Sequence, residues 1–544
     1  MVLWDSHADV TGTGVKDHAH RRPIRPGKRP HGTVRATSLP SSSNQKGLPL
    51  MPAKPDATPE DSVTVAIIGG GFTGAAVALQ LARSRSLSRT GRSLRVLVFE
   101  PRVELGRGLA YDTRDPAHRI NVPAAKMSLD PGHELEFQNW YLASGDAGED
   151  DEALAADGKL YPRRAAFGRY VFESIRPYLE DGTVRHIRSL VERVQPEGDR
   201  FEIRDQDDIR HAADHVVIAT SHPPPSAPGK LGTILSGDPR FIPDATKPNA
   251  LSVVGDKDRV LIIGAGLTAA DVIASLDKKG HRGKITVFSR RGLRSRGHAT
   301  VASEPIGDFL TPPARSVRSL VRRVREAVKE AEARGLGWQP VFDQLRGQGG
   351  QIWRALPPEE RRRLVRHIRP FWDVHRFRIA PQLMEVLDRR VVEGSLRFLA
   401  ASLLNVDYAG HAAPIGITLR HRASQTVEDL DVDVVVVTTG PAHGSIIAHQ
   451  AYLRGLNAQG LVRIDDSGLG IACDDQSRAL DRYGAATPGL YIAGPLARGT
   501  FGELMGLPQV SEHAIAVANE IARTINDKAR AAPASSHLRL VSGR

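Results

Sequence analysis

Two glycine-rich segments, each closing an apolar run, constrain this chain more than any other feature. Residues 63–74 read VTVAIIGGGFTG and residues 259–269 read RVLIIGAGLTA. Such a run is a buried strand, and the glycine that ends it, Gly69 or Gly264, makes a tight turn into a helix. The next glycine, Gly71 or Gly266, lets the backbone approach a pyrophosphate. Gly74 or Ala269 then lets the helix lie close to the sheet, with its N-terminus facing the phosphates. Phe72, Thr73, Leu267 and Thr268 open the two helices and join the candidate contacts. One such segment is a common turn; two in the same context predict an α/β fold of paired Rossmann-like dinucleotide-binding domains.

At 544 residues the chain exceeds one core. Of its net charge of +12, residues 1–50 supply +5, from eight Lys/Arg against three Asp. That stretch lacks apolar periodicity, so it reads as a disordered tail and not as a nucleic-acid-binding surface, with Met51 a candidate start. The apolar runs are strand-length, far short of the ~20 residues that span a bilayer, so no membrane association is expected. Cys473 is the only cysteine. A lone cysteine excludes internal disulfides, a Cys-x-x-Cys redox pair and a thiolate zinc cluster; no metal site is expected, and a reducing cytoplasm is the natural setting.

The two halves echo each other, with one difference that bears on cofactor choice. After the first fingerprint, a helix to about Ser84 and a Ser/Arg-rich loop lead to a strand over 95–99 that ends at Glu100, 26 residues past Gly74. A carboxylate there accepts hydrogen bonds from a ribose diol. The matching strand over 284–288 ends in Ser289-Arg290-Arg291, and Arg290 stands 21 residues past Ala269. Paired guanidinium groups suit a ribose 2′-phosphate, which favours NADPH at the second site, with NADH the alternative. Each half then closes with a short hairpin and an apolar strand, over 201–220 and 415–440.

Further along, residues 487–494 read TPGLYIAG, a turn, a strand and Gly494, followed by Pro495; a helix is expected over 507–525, its N-terminus toward a flavin. Between the second fingerprint and its closing strand, Val317, Leu320, Val321, Val324, Ala327, Val328 and Ala331 keep a 3.6-residue period and predict a packed amphipathic helix. The segment over 369–381 places Trp372, His375, Arg376 and Arg378 close together. Its spacing lets Trp372, His375 and Arg376 converge on an anionic substrate while Arg378 makes a structural ion pair; a helix start held by salt bridges is the other reading.

Over residues 63–525 the chain resembles the FAD/NAD(P)-binding proteins that include the HpyO-type FAD-dependent urate hydroxylase and aspartate N-monooxygenase (nitrosuccinate synthase). The resemblance rests on IIGGGFTG at 67–74, FEP at 99–101, GRGLAY at 106–111, RINVP at 119–123, SRRGL at 289–293, WDVHRFR at 372–378 and AGPLARGT at 493–500. It implies that Gly106 through Tyr111 and Asn121 lie along FAD, Asn121 near the isoalloxazine. Pro495 departs from the Gly-Asp of many flavoproteins, and no F-x-G-x-x-x-H precedes the second fingerprint. The expected layout is a tail over 1–60, an FAD-binding domain over 61–250 completed by 441–526, an NAD(P)H-binding domain over 251–440 with a helical insertion at about 305–395, and a tail over 527–544. The expected activity is FAD-dependent, NADPH-using monooxygenation of a small polar metabolite, with O2 forming a flavin C4a-peroxide that hydroxylates nitrogen or carbon. The alternatives are an NAD(P)H:acceptor oxidoreductase without oxygen transfer and a non-catalytic flavin-binding sensor. Neither the substrate nor the oligomeric state follows from the sequence.

Overall fold

In the computed structural model, which describes residues 62–84, 93–301, 303–440 and 445–531, the first fingerprint forms strand β1 (Ser62–Ile68) and helix α1 (Phe72–Arg83). The expectations for a tail over 1–60 and for Met51 lie outside the described residues. From Val63 on, β1 is buried throughout, as a run of β-branched residues and alanine requires of a central parallel strand. β2 (Ser93–Phe99) pairs with it in parallel. A largely irregular stretch with helix α2 (Glu136–Ala143) follows, then helix α3 (Arg164–Glu180) and β3 (Val184–Ile187). Strands β4 (Val191–Glu197), β5 (Arg200–Asp205) and β6 (Arg210–Ala213) make a separate antiparallel sheet before β7 (His215–Ile218) returns to the other side of β1.

The second half repeats the plan. β8 (Phe241–Ile242) precedes β9 (Val260–Ile263), helix α4 (Leu267–Lys278) and β10 (Ile285–Ser289). The insertion carries α5 (Val317–Ala333), α6 (Gln339–Gly347), α7 (Arg369–Arg376) and α8 (Pro381–Val392). Ser316 caps α5 by accepting the Ser319 N–H at 3.2 Å, and Val317, Leu320, Val328 and Ala331 are its buried stripe. Strands β11 (Leu396–Asp407), β12 (Ile415–His421), β13 (Val427–Val432) and β14 (Val434–Val437) follow, then β15 (Arg478–Leu480), β16 (Ala486–Ile492) and helix α9 (Gln509–Ala531).

One six-stranded sheet runs β15-β16-β7-β1-β2-β3 and one seven-stranded sheet runs β13-β12-β11-β10-β9-β14-β8. Each fingerprint strand therefore lies between the strand that follows its helix and the strand that closes its half, where a doubly wound sheet opens a crevice. The halves differ at one point. β11 pairs in parallel with β10 over Leu396–Ala400 and then antiparallel with β12 from Ala401, so one strand does the work of both β3 and β4.

The last helix differs from the expected 507–525. It starts at Gln509 and continues through Ala531, because Arg523 pairs with Asp527 one turn on at 2.8 Å and neither glycine nor proline interrupts. The tail expected over 527–544 is thus helical through Ala531. α9 and α3 both pack on α1, where Ala75, Ala78, Ala514 and Ala518 are small enough to bring helices close. Among the described residues no helix is long and apolar enough to cross a membrane.

Candidate nucleotide and substrate site

Both fingerprint turns need glycine for reasons visible in the backbone. Gly69 (φ +102°) and Gly264 (φ +108°) are left-handed, and a Cβ on either would strike the backbone just past the strand that closes its half, at Ala219 and Thr438 respectively. A Cβ on Gly74 would overlap the Gly69 carbonyl, whereas Ala269 at the matching position is accommodated and buried. Gly71 and Gly266 behave differently. A Cβ on Gly71 would meet only Gly108, at 3.3 Å, and one on Gly266 would meet nothing within 4 Å. These positions leave room for a ligand and not for packing.

A cavity of about 1840 Å³ runs from the first turn, past α4, into the helical insertion. Gly69, Gly71, Phe72, Thr73, Glu100, Tyr111, Asn121, Leu267, Thr268, Pro495 and Arg376 all line it. Glu100 is buried, and its carboxylate accepts the Gly70 and Arg102 N–H groups, each at 3.1 Å, so the turn itself aims it. The Tyr111 ring lies 4.7 Å from that of Phe167, and burial pushes its hydroxyl up to about 12. Gly106 (φ +88°) turns the chain against Val171 of α3. Gly494 (φ +66°) sits on Thr73 and donates its N–H to His513 Nδ1 at 3.1 Å.

Gly264, Gly266 and Ala269 are not among the lining residues, although Gly266 is exposed next to Leu267 and Thr268, which are. Arg290 and Arg291 are exposed beyond β10, also outside the lining, and the Arg291 guanidinium lies 4.8 Å over the Phe371 ring.

On the substrate side the structure corrects the expected convergence. Trp372 and His375 are not among the lining residues. Their shared face of α7 stacks on Phe342 of α6, at 5.8 and 4.7 Å between ring centroids, and Trp338 meets His375 edge-on at 4.7 Å. Burial pushes His375 down to about 4, and its Nδ1 lies 2.7 Å from the Phe371 carbonyl, to which it donates. Aromatic neighbours 30 to 37 residues upstream claimed that face, which the local spacing alone does not reveal. Arg376 takes another course: its Nε donates to Glu503 at 2.6 Å, and the side chain reaches the cavity wall. Arg378 pairs with Asp343 at 2.9 Å and also touches the cavity.

Three lining residues had no sequence signal. His298, in the loop after β10, donates its Nε2–H to the Asn121 carbonyl at 2.9 Å, and burial pushes it down to about 4. Asp343 and Arg346 sit on α6, a helix that packs through Val341, Phe342 and Leu345. Asn121 lines the cavity, and its Oδ1 is a buried acceptor without a hydrogen-bond partner.

A sequence profile for a family described as FAD-NAD(P)-binding matches residues 66–223. No curated protein matches the chain in sequence. Solved structures do match its fold. The reduced form of ornithine hydroxylase from Pseudomonas aeruginosa is 16% identical over 85% of this chain and 100% of its own, with a TM-score of 0.58. An ornithine N-hydroxylase from Kutzneria sp. 744, solved with reduced FAD, NADP+ and L-ornithine, is 16% identical over 85% and 99% of the two chains, with a TM-score of 0.54. The cadaverine monooxygenase of Erwinia amylovora, bound to FAD, is 13% identical over 84% and 94%, with a TM-score of 0.55. With two fingerprint turns, two open sheets and one cavity between them, the chain has the paired Rossmann-like fold of two-domain FAD/NAD(P)-binding proteins.

Proposed function

We propose that this protein is an FAD-dependent, NADPH-using monooxygenase that hydroxylates a nitrogen of a small polar metabolite, with O2 as co-substrate. One observation carries the reading: a single cavity joins the first fingerprint, the N-terminal turn of α4 and a polar chamber in the insertion. It is large enough for a flavin, a nicotinamide and a small substrate together, and both turns have a glycine whose missing side chain leaves ligand space. Gly71, Glu100, Tyr111, Asn121 and Pro495 would hold FAD; Gly266, Thr268 and Arg290 would hold NADPH. When bound, the flavin supplies hydride acceptance and oxygen activation.

The chain's own residues bind, orient and exclude water. Glu100 offers a carboxylate already aimed by two backbone N–H groups. Phe72, Tyr111 and Phe167 form an apolar wall beside the first turn. His298, held neutral by burial, ties the loop after β10 to Asn121 and so joins the two nucleotide domains across the cavity. Nitrogen is favoured over carbon because the structural neighbours named above act on amines. The urate and aspartate chemistries of the family resembled in sequence belong in the same substrate screen.

The test is to follow NADPH oxidation, oxygen uptake and hydroxylated product together across amino acids, diamines and purines. The reading requires one substrate that raises all three in near-equal amounts. NADPH oxidation that yields only peroxide, or none with any of the three classes, overturns it.

A further inference from the structure

We propose that the chamber in the insertion is a carboxylate-binding subsite built on Arg346 and Arg376, so that the substrate is a small amine bearing a carboxylate and not a bare diamine. The inference rests on the monooxygenase reading for its setting and on charge and geometry for its content.

Three guanidinium groups, Arg346, Arg376 and Arg378, line this end of the cavity. Two carboxylates answer them: Asp343 at 2.9 Å from Arg378, and Glu503 at 2.6 Å from Arg376. Arg346 is left with neutral acceptors, the Leu507 carbonyl and Gln509 Oε1 at 2.9 Å, and has no carboxylate partner among the described residues. The chamber thus holds one positive charge more than its own acids balance. Burial, and then the charge on Arg376, push Arg346 down to about 10, and the more distant charges of Glu503 and Asp343 offset this only in part.

The hydrogen-bond inventory agrees. Arg376 Nη2 and Arg346 Nε are both buried without a partner, on side chains that line the cavity. A guanidinium has five donors and no acceptor, and unmet donors in a low-dielectric wall are costly, so an acceptor from outside the chain is the natural complement. Gly506 lines the cavity beside them, and even a Cβ there would lie 3.6 Å from Arg376 Nη2. The absent side chain leaves space for a ligand oxygen. Two planar guanidinium groups suit a carboxylate, whereas a second ammonium would add to the excess charge. The structural neighbours include both a protein bound to L-ornithine and a cadaverine monooxygenase; the charge balance places this chain with the carboxylate-bearing class.

A five-carbon series isolates the end group: glutarate, 5-aminovalerate and cadaverine, titrated calorimetrically into the oxidised FAD-loaded protein. The carboxylates should bind at least about tenfold tighter than cadaverine, the least that one charge-assisted hydrogen bond contributes. Arg346→Gln, which leaves the Arg376–Glu503 pair in place, should remove most of that preference while flavin content and melting temperature hold. Arg376→Lys should do the same more weakly, because it keeps the charge and loses the fork. Cadaverine binding as tightly as 5-aminovalerate, no carboxylate binding at millimolar concentration, or a preference unchanged in Arg346→Gln overturns the subsite. These titrations need no turnover. Carboxylate binding without any NADPH-driven hydroxylation would overturn the monooxygenase reading and leave the subsite standing.

Discussion

Gly266→Ala should separate nucleotide binding from folding at the second fingerprint. Gly266 has φ −86° and ψ −160°, an extended backbone that any residue adopts. A methyl group there meets no protein atom within 4 Å. The folded state therefore loses little: alanine stiffens the unfolded chain, which stabilises by about 0.4–1 kcal/mol, and is a poorer N-cap than glycine, which offsets that gain. The melting temperature should stay within a degree or two. On the proposed reading the methyl would occupy the space of the NADPH pyrophosphate, so hydrogen bonds to a charged group would be lost or stretched, at about 1.5–3 kcal/mol. That is about a ten- to hundredfold rise in the NADPH Kd. Gly74→Ala is the contrast. Its Cβ would lie 3.0 Å from the Gly69 carbonyl carbon and 3.2 Å from Ile67 Cγ2, and would overlap the Gly69 oxygen. α1 must lift off β1, at about 1–3 kcal/mol or more, so melting temperature and flavin content should fall together. The assay is calorimetric NADPH binding beside thermal melting, each with the flavin content measured. Unchanged NADPH affinity in Gly266→Ala, or a loss of stability there as large as in Gly74→Ala, would refute the reasoning.

Replacing Arg290 by Ala should weaken NADPH use about ten- to hundredfold and leave NADH use nearly unchanged if, as proposed, Arg290 makes one charge-assisted contact to the 2′-phosphate; equal losses with both nucleotides, in steady-state assays, count against it. His513 accepts the Gly494 N–H through Nδ1 and makes a 3.1 Å contact with Ser477 through Nε2. Asn can reproduce the Nδ1 acceptor and Leu cannot, so His513→Asn should retain more flavin than His513→Leu, read from the absorbance ratio of purified protein. Acid should destabilise the fold over a defined window. Burial holds His215, His222, His298, His375 and His513 each at about 4, below the ordinary 6.5. The unfolded chain takes up these protons first. The histidines' contribution is therefore complete above about pH 6.5 and is lost as pH falls toward 4, and the melting temperature should drop steeply across that interval. A flat profile there would contradict the burial of these rings.

Sequence alone determined the architecture, because an apolar strand ending in a glycine turn has few other physical uses and the motif occurs twice. It also marked the residues whose roles are local: Gly69 and Gly264 with their left-handed backbones, and Glu100 at the end of its strand. Charge at a strand end is legible in the same way, so Arg290 and Arg291 stand out whether or not they touch a nucleotide. Tertiary structure decided the substrate side. Trp372 and His375 have helical spacing that suits a cavity, yet Phe342 on α6 and Trp338 just before it took up that face through ring contacts. Arg346, His298 and Gly506 come from three segments far apart in the chain and carry no periodic or motif signal of their own. Side chains converge there only after the insertion folds over the crevice, and the balance of charge that results is a property of the assembled chamber, which no one-dimensional spacing encodes.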